Sequence, residues 1–310
     1  MELVHQCPDS RALRKRRVSA LYPLSFDSLP AWAREHNIAM TEARRRFAQY
    51  VMLRAIANSR ALSDFLVFKG GNALDFMWQP NRSTLDLDFS TAQVVADLRN
   101  EAESLRTLFT GALNNVGPQF GVLCRVAKIE QRPPGQDKTF VTYLVRVAYA
   151  LPDQGPLRRR MDTDRTYGPQ LIDIEISINE PICADEPRDI NGTHRLRVST
   201  IEDIVAEKLR ALLQQPIRDR ARPQDLLDIA VVLRQGASLD RTHVTDFLLR
   251  KAEARHVPVS RAAFHHPEIM ERAKRGYDEL KGTTRVLFVP FDEARDLLYG
   301  LVDTLAILEE

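Results

Sequence analysis

The chain has 310 residues, a formal net charge of +2, 44% hydrophobic and 28% charged residues, and three cysteines. That is an ordinary globular composition, long enough for one large domain or two. It excludes a membrane-spanning helix, since no sufficiently long apolar run occurs, and a secretory leader, since the N-terminus has no apolar signal region. Cys7, Cys124 and Cys183 are too few and too scattered for a disulfide framework or a zinc site, which suits a reducing cytoplasm.

In chain order, residues 1–60 read as helical, with residues 43–56 the clearest amphipathic stretch. The most informative segment follows, residues 65–90, FLVFKGGNALDFMWQPNRSTLDLDFS. Phe65 to Phe68 form an uninterrupted apolar run, as expected of a strand buried on both faces. Gly70 and Gly71 then allow a tight turn and close approach of a ligand to the backbone. From Asn72 to Trp78 the spacing predicts a helix, whose first N–H groups and partial positive charge would suit phosphate, with Lys69 adding a full charge. A second strand is expected over residues 85–89. Alternation puts Asp86 and Asp88 on one face and Leu85, Leu87 and Phe89 on the other. Two parallel carboxylates repel unless a cation takes an oxygen from each, which is the geometry of a magnesium site.

A helix is expected over residues 91–113, then two strands flanking a loop at residues 131–138. Residues 151–169, polar, basic and punctuated by Pro and Gly, read as a mobile surface loop. The segment LIDIEISIN, residues 171–179, alternates cleanly, with Ile172, Ile174, Ile176 and Ile178 on one face and Asp173, Glu175 and Ser177 on the other. Either acid could join Asp86 and Asp88, or both could lie on a solvated face. A short strand at residues 195–198 completes the sheet.

From residue 200 the pattern is helical almost to the end, broken near residues 256–267 and 282–290. Ser199 and Glu202 form a capping-box pattern. Lys208 falls on the apolar stripe of the helix that follows, so it either snorkels or meets an anion in a cleft. Pro223 suits the first turn of the next helix. Asp225 in that turn would be stabilised by the helix dipole whatever its function. Asp228 lies beside Ile229 and Val232 and therefore calls for a cationic partner, Lys208 or Arg82. Arginine clusters at residues 14–17, 44–46, 158–160 and 218–222 would suit a polyanion such as RNA, or could be solvated helical faces. His265 and His266 form no ligand set and read as surface residues.

Two blocks of this chain resemble the AbiEii/AbiGii family of toxin nucleotidyltransferases, a branch of the polymerase-β-like superfamily. The first is Lys69, Gly70, Gly71, Ala73 and Leu74, followed by Arg82, Thr84, Asp86, Asp88 and Phe89. The second is Lys208 on one helix, then Arg222, Pro223, Asp225 and Asp228. Thr84 stands where serine is frequent, and residues 158–168 look like an insertion.

The resemblance implies an α/β (α+β) polymerase-β-like core with a mixed sheet over residues 61–198. A helical segment (residues 1–60) and a helical region (residues 199–310) would flank it. It implies a magnesium-dependent enzyme, with a two-metal site, that transfers NMP from an NTP to an acceptor hydroxyl. Asp86, Asp88 and Glu175 would hold the metals. Lys69, Gly70, Gly71, Arg82, Thr84 and Asp228 would serve the nucleotide, and Lys208 and Asp225 would join Asp86 and Asp88 in catalysis. The implied setting is a bacterial toxin–antitoxin or phage-defence pair with a cognate antitoxin, and the implied acceptor is RNA, the tRNA 3′ end, with translation blocked. The same core acting on a protein or small molecule, or keeping the fold as a non-catalytic RNA-binding module, remain the alternatives.

Overall fold

The apolar run that precedes Gly70 lies in the middle of a seven-stranded mixed sheet. The structure, a computed structural model, describes residues 22–82, 84–92, 101–134, 140–164, 168–190 and 194–310. Helices α1 (Leu29–Glu35), α2 (Met40–Asn58) and α3 (Arg60–Phe65) lead into strand β1 (Leu66–Lys69). The turn α4 (Gly70–Ala73) runs directly into a π-helical turn, Leu74–Trp78, and then comes β2 (Leu87–Thr91). Next are α5 (Glu101–Val116), β3 (Leu123–Arg132), β4 (Thr142–Ala150), α6 (Gly155–Thr163), β5 (Leu171–Ser177), β6 (Asp185–Ile190) and β7 (His194–Ser199). The helices α7 (Ile201–Leu213), α8 (Gln215–Arg218), α9 (Pro223–Arg234), α10 (Arg241–Ala254), α11 (Arg261–His265), α12 (Pro267–Lys274) and α13 (Phe291–Val302) finish the chain.

The strand order is β3-β4-β5-β2-β1-β7-β6. β1 pairs antiparallel with β2 and parallel with β7, and β2 pairs parallel with β5. The two strands bearing the diglycine turn and the acid pair are thus central neighbours, in a register that sets Lys69 opposite Asp88 and Asp88 beside Glu175. Leu66, Val67 and Phe68 are fully buried, as an apolar run without alternation requires. β5 alternates as its sequence demands: Ile172, Ile174 and Ile176 are buried, and Asp173, Glu175 and Ser177 are half-buried.

The apolar interior falls into two clusters. One joins the sheet to α2 and α5. The other is made by α7, α9, α10, α12 and α13 and includes Leu74 of the π-helical turn. The cleft described below opens between them. A buried ion network crosses the same junction: Asp75 of the π-helical turn accepts from Arg46 of α2 and from Arg285, and its Oδ1 accepts the Asn81 N–H at 2.7 Å. Asn81 in turn accepts the Leu287 N–H at 2.8 Å and donates to the Leu287 carbonyl at 3.0 Å.

Several expectations change. The second strand begins at Leu87, so Asp86 sits in the bend just before it. The helix after the diglycine starts at Gly70 instead of Asn72 and widens to a π turn. Residues 155–163, expected as part of a loop, form α6, because Met161 buries against Ala148 and Ala150. The cap of α7 is Thr200, one residue beyond the expected serine; its side chain accepts the Asp203 N–H at 3.3 Å. Strand β6 was missed because its residues, DEPRDI, carry no apolar alternation. In the arginine cluster at residues 44–46, Arg46 is fully buried and lies 4.2 Å over the Phe76 ring, so it is core. The cluster at residues 14–17 and part of the helix expected at residues 91–113 lie outside the described residues.

Removing one partner from a buried ion pair strands the other charge, at a cost of about 3–5 kcal/mol. Arg46→Ala, which leaves Asp75 with Arg285, is therefore expected to lower the urea midpoint, and Asp75→Ala, which strands both arginines, to lower it further. An unchanged midpoint in Arg46→Ala would refute the account of Asp75.

Candidate active site

β1 ends at Lys69 and the chain turns at Gly70 with φ +72°, a conformation L side chains avoid. A Cβ on Gly70 would lie 2.5 Å from Asp88 Oδ2, and one on Gly71 would lie 2.9 Å from Thr84 Cγ2. Both glycines are needed because the backbone opening α4 packs directly on the acid-bearing segment. That segment is pinned from beneath. Asn72 Nδ2 donates to the Thr84 carbonyl at 3.2 Å and also to the Asp86 carbonyl, and Asn72 Oδ1 accepts the Thr84 N–H at 3.3 Å. Gln49 of α2 donates to the Thr84 and Leu85 carbonyls, each at 3.1 Å.

The second block arrives from α7 and α9. Lys208 Nζ lies 3.0 Å from Asp225 Oδ1 and 2.8 Å from Asp228 Oδ2, all three groups being buried. Arg82 grips Asp228 with two bonds, Nε to Oδ1 at 3.3 Å and Nη2 to Oδ2 at 3.1 Å. Both cations expected for Asp228 thus reach it. Burial works against the charge on Asp228, but Lys208 and Arg82 outweigh it and hold its pKa below the usual carboxylate range. Burial likewise opposes the charge on Lys208, yet Asp228 and Asp225 push its pKa up to about 12.

Asp86, Asp88 and Glu175 are treated differently. Among the described residues none of the three has a cation at ion-pair distance, whereas Asp173 is taken up by Arg146 at 3.4 Å. Burial pushes the pKa of Asp88 up to about 7, with Lys69 offsetting and Glu175 and Asp86 adding to the rise. Asp86 is raised by burial and then by Glu175 and Asp173. Uncompensated, half-buried acids of this kind fit a divalent cation, whose oxygen-ligand chemistry they match. No group of three His, Cys, Asp or Glu side chains among the described residues is already drawn together as a complete cage, so Asp86, Asp88 and Glu175 would have to converge on the ion.

A cleft of about 450 Å³ collects the expected residues. Lys69, Gly70, Gly71, Arg82, Thr84, Asp86, Asp88, Glu175, Lys208 and Asp225 all line it, and Asp228 stands behind, joined through Arg82 and Lys208. A larger groove of about 1050 Å³ opens beside it. It shares Asp88 and Glu175 and is lined by Arg132, Arg210, Arg218, Arg220, Arg222 and Arg255. One expectation shifts here: Lys69 is engaged by the buried Glu180, which also holds Arg210 at 3.4 Å and Arg255 at 3.0 Å. Glu180, Asn72 and Gln49 were missed from sequence. Only Asn72, lying between the glycines and Ala73, carried a local hint.

The profile described as "Nucleotidyl transferase AbiEii toxin, Type IV TA system" matches residues 52–296. No curated protein sequence matches the chain. Among solved structures, the chain is similar to MenT4, a nucleotidyltransferase toxin of Mycobacterium tuberculosis, at 18% identity and a TM-score of 0.58, over 89% of each chain. It is also similar to JHP933 of Helicobacter pylori, at 17% identity and a TM-score of 0.50, over 86% of this chain and 91% of that one. These likenesses show a shared fold.

Two outcomes test the geometry. Gly70→Ala puts a methyl group onto Asp88 and forces a strained φ, so it is expected to lower stability by about 1–3 kcal/mol in chemical denaturation. A wild-type midpoint in that variant would contradict the close approach. The second concerns pH. Asp88 has a folded-state pKa near 7 and an unfolded value near 3.8. Ionising it therefore opposes folding, and the penalty grows as pH rises through that interval. Asp88→Asn should accordingly raise the melting temperature of the metal-free protein at pH 8, by about 2–4 °C per kcal/mol relieved, and have little effect at pH 4. Equal shifts at both pH values would rule this out.

Proposed function

Since the chain belongs to the AbiEii family of toxin nucleotidyltransferases, and is itself a nucleotidyltransferase, we propose that it transfers NMP from an NTP to an RNA hydroxyl, the tRNA 3′ end, in a magnesium-dependent reaction that blocks translation. The observation carrying this reading is the contrast within the cleft: among the described residues Asp86, Asp88 and Glu175 have no cation at ion-pair distance, while Arg82, Lys208, Asp225 and Asp228 neutralise one another in the same cleft.

Asp86, Asp88 and Glu175 would hold the magnesium, which when bound supplies charge neutralisation for the phosphates and the attacking oxygen. Gly70 and Gly71 bring main chain, without a Cβ, to where the triphosphate would lie, and the N–H groups opening α4 would serve it. Lys208, fully charged at any physiological pH, would set its ammonium against the triphosphate while Asp225 and Asp228 fix its position. Arg82 orients Asp228 and closes the wall beside Thr84. Asp225, on the first turn of α9, would position the acceptor hydroxyl or take its proton. Catalysis of this kind rests on positioning and charge, with attack in line on the α-phosphate and pyrophosphate leaving.

The acceptor is read from the second groove. Six arginines line this groove together with Asp88 and Glu175, two of them (Arg210 and Arg255) also holding Glu180, so an acceptor lying in it could present its terminal hydroxyl to the acids. Arginine pairs with phosphate bidentately, and such binding weakens steeply as salt rises. The cluster at residues 218–222, between the two helices of the second block, supplies three of these side chains, Arg218, Arg220 and Arg222. A cognate antitoxin is the partner that follows from the family's toxin–antitoxin setting. Among the described residues no helix is long and apolar enough to cross a membrane.

The test supplies each radiolabelled NTP with magnesium and total RNA. Label is expected in a tRNA-sized band, lost with Asp86→Ala and reduced progressively as salt is raised. Label on protein or on small solutes instead would replace the RNA reading. Expression without the antitoxin is expected to slow growth, and Lys208→Ala to relieve it; arrest that persists in that variant would remove Lys208 from the mechanism.

A further inference from the structure

Lys69 and Asp88 occupy directly opposed positions on the antiparallel pair β1 and β2. Opposed side chains on one face of such a pair stand about 4.5–5.5 Å apart at Cβ, and opposite charges there ordinarily attract. A salt bridge between them is the default outcome. It does not form: Lys69 Nζ pairs with Glu180, which is 8% exposed and lies just beyond β5, and Asp88 has no cation at ion-pair distance among the described residues. Glu180 is well placed to compete. Arg210 of α7 and Arg255 just past α10 hold it from the other side, at 3.4 and 3.0 Å. Arg210 is itself fixed by Glu207, and Arg255 lies 4.0 Å over the Phe140 ring. The carboxylate is therefore anchored by Arg210 and Arg255, which restrain it from following Lys69 toward β2.

We propose that Glu180 is a positioning residue whose carboxylate draws the Lys69 ammonium off Asp88 and so keeps Asp88 available to a divalent cation. This rests on reading Asp86 and Asp88 as cation ligands, and it gives Glu180 a role that neither sequence block contains. The other lysine near the acids, Lys208, is restrained in the same manner, by Asp225 and Asp228. Lys69 and Lys208, which line the cleft, thus each have their own acidic holder, and among the described residues Asp88 of β2 and Asp86 just before it have no cation at ion-pair distance. Without Glu180, Asp88, directly opposed across the strand pair, is open to Lys69 as a partner, and the resulting ion pair would compete directly with a metal.

The experiment measures Mn²⁺ binding by electron paramagnetic resonance of the free ion, at pH 8 and without nucleotide, in wild type, Glu180→Gln, Lys69→Gln and the double variant. Glu180→Gln is expected to weaken Mn²⁺ binding by about tenfold or more. Lys69→Gln is expected to bind at least as tightly as wild type. In the double variant the loss should vanish to within about threefold, because the competing ammonium is gone. An unchanged affinity in Glu180→Gln overturns the proposal. So does a loss that persists undiminished in the Lys69→Gln background, which would mean that Glu180 acts through its own charge or through packing. Should Glu180→Gln fail to fold, Lys69→Gln alone decides: weaker binding there overturns the proposal and equal or tighter binding supports it. Asp88→Asn separates the two levels of the argument. Wild-type Mn²⁺ affinity in that variant refutes the metal reading and this inference with it. Binding lost in Asp88→Asn but untouched in Glu180→Gln refutes the inference alone.

Discussion

Among the described residues Asp86, Asp88 and Glu175 stand without cations, whereas the buried acids are paired. Asp75 has Arg46 and Arg285, Asp203 has Lys251, Glu180 has Lys69, Arg210 and Arg255, and Asp225 and Asp228 share Lys208. Leaving carboxylates half-buried and uncompensated opposes folding. The sheet holds them together all the same, because β1, β2 and β5 are zipped by their ladders and packed on fully buried Leu66, Val67, Phe68, Leu87, Phe89, Ile174 and Ile176. Apolar packing behind the sheet maintains an electrostatic arrangement in front of it that would not form by itself. That division of labour is what a site for a multiply charged ligand requires.

The cleft also depends on two remote halves of the chain keeping a fixed relation. Residues 81–82 meet residues 284–287 through a short bridge and the Asn81 bonds, and Arg285 crosses to Asp75. Arg82 at the end of this clamp holds Asp228 on α9. The C-terminal helices therefore set the position of the second block relative to the diglycine turn. The π-helical turn Leu74–Trp78 lies at the hinge of this arrangement, contributing Leu74 to one apolar cluster and Phe76 to the other.

Two cavities meeting at Asp88 and Glu175 give the proposed reaction a direction. One cavity is bounded by the glycine turn and Lys208, which suits a triphosphate. The other is dominated by arginine, which suits an acceptor with several phosphates. The acids common to both walls are where the two substrates would have to meet.

Much of this was legible in the residues. The uninterrupted apolar run, the diglycine, the alternation of Leu87, Asp88 and Phe89, and the inward-facing Lys208 each follow from local periodicity, which requires no knowledge of the rest of the chain; the alternation does not extend to Leu85, which is exposed, or to Asp86, which sits in a bend. Even the demand of Asp228 for a cation could be read from its apolar neighbours. What could not be read are the contacts between segments far apart in sequence. Asp173 and Glu175 share a strand face and only a neighbouring strand distinguishes them: Arg146 from β4 engages Asp173, which supports the proposal of Glu175 as the third acid. The burial of Arg46 depended on Asp75, and the capture of Lys69 depended on a glutamate over a hundred residues away. Local sequence thus determined which groups carry charge and which way they point; the tertiary structure decided which of those charges are neutralised, because ion pairing acts through space and takes no account of position along the chain.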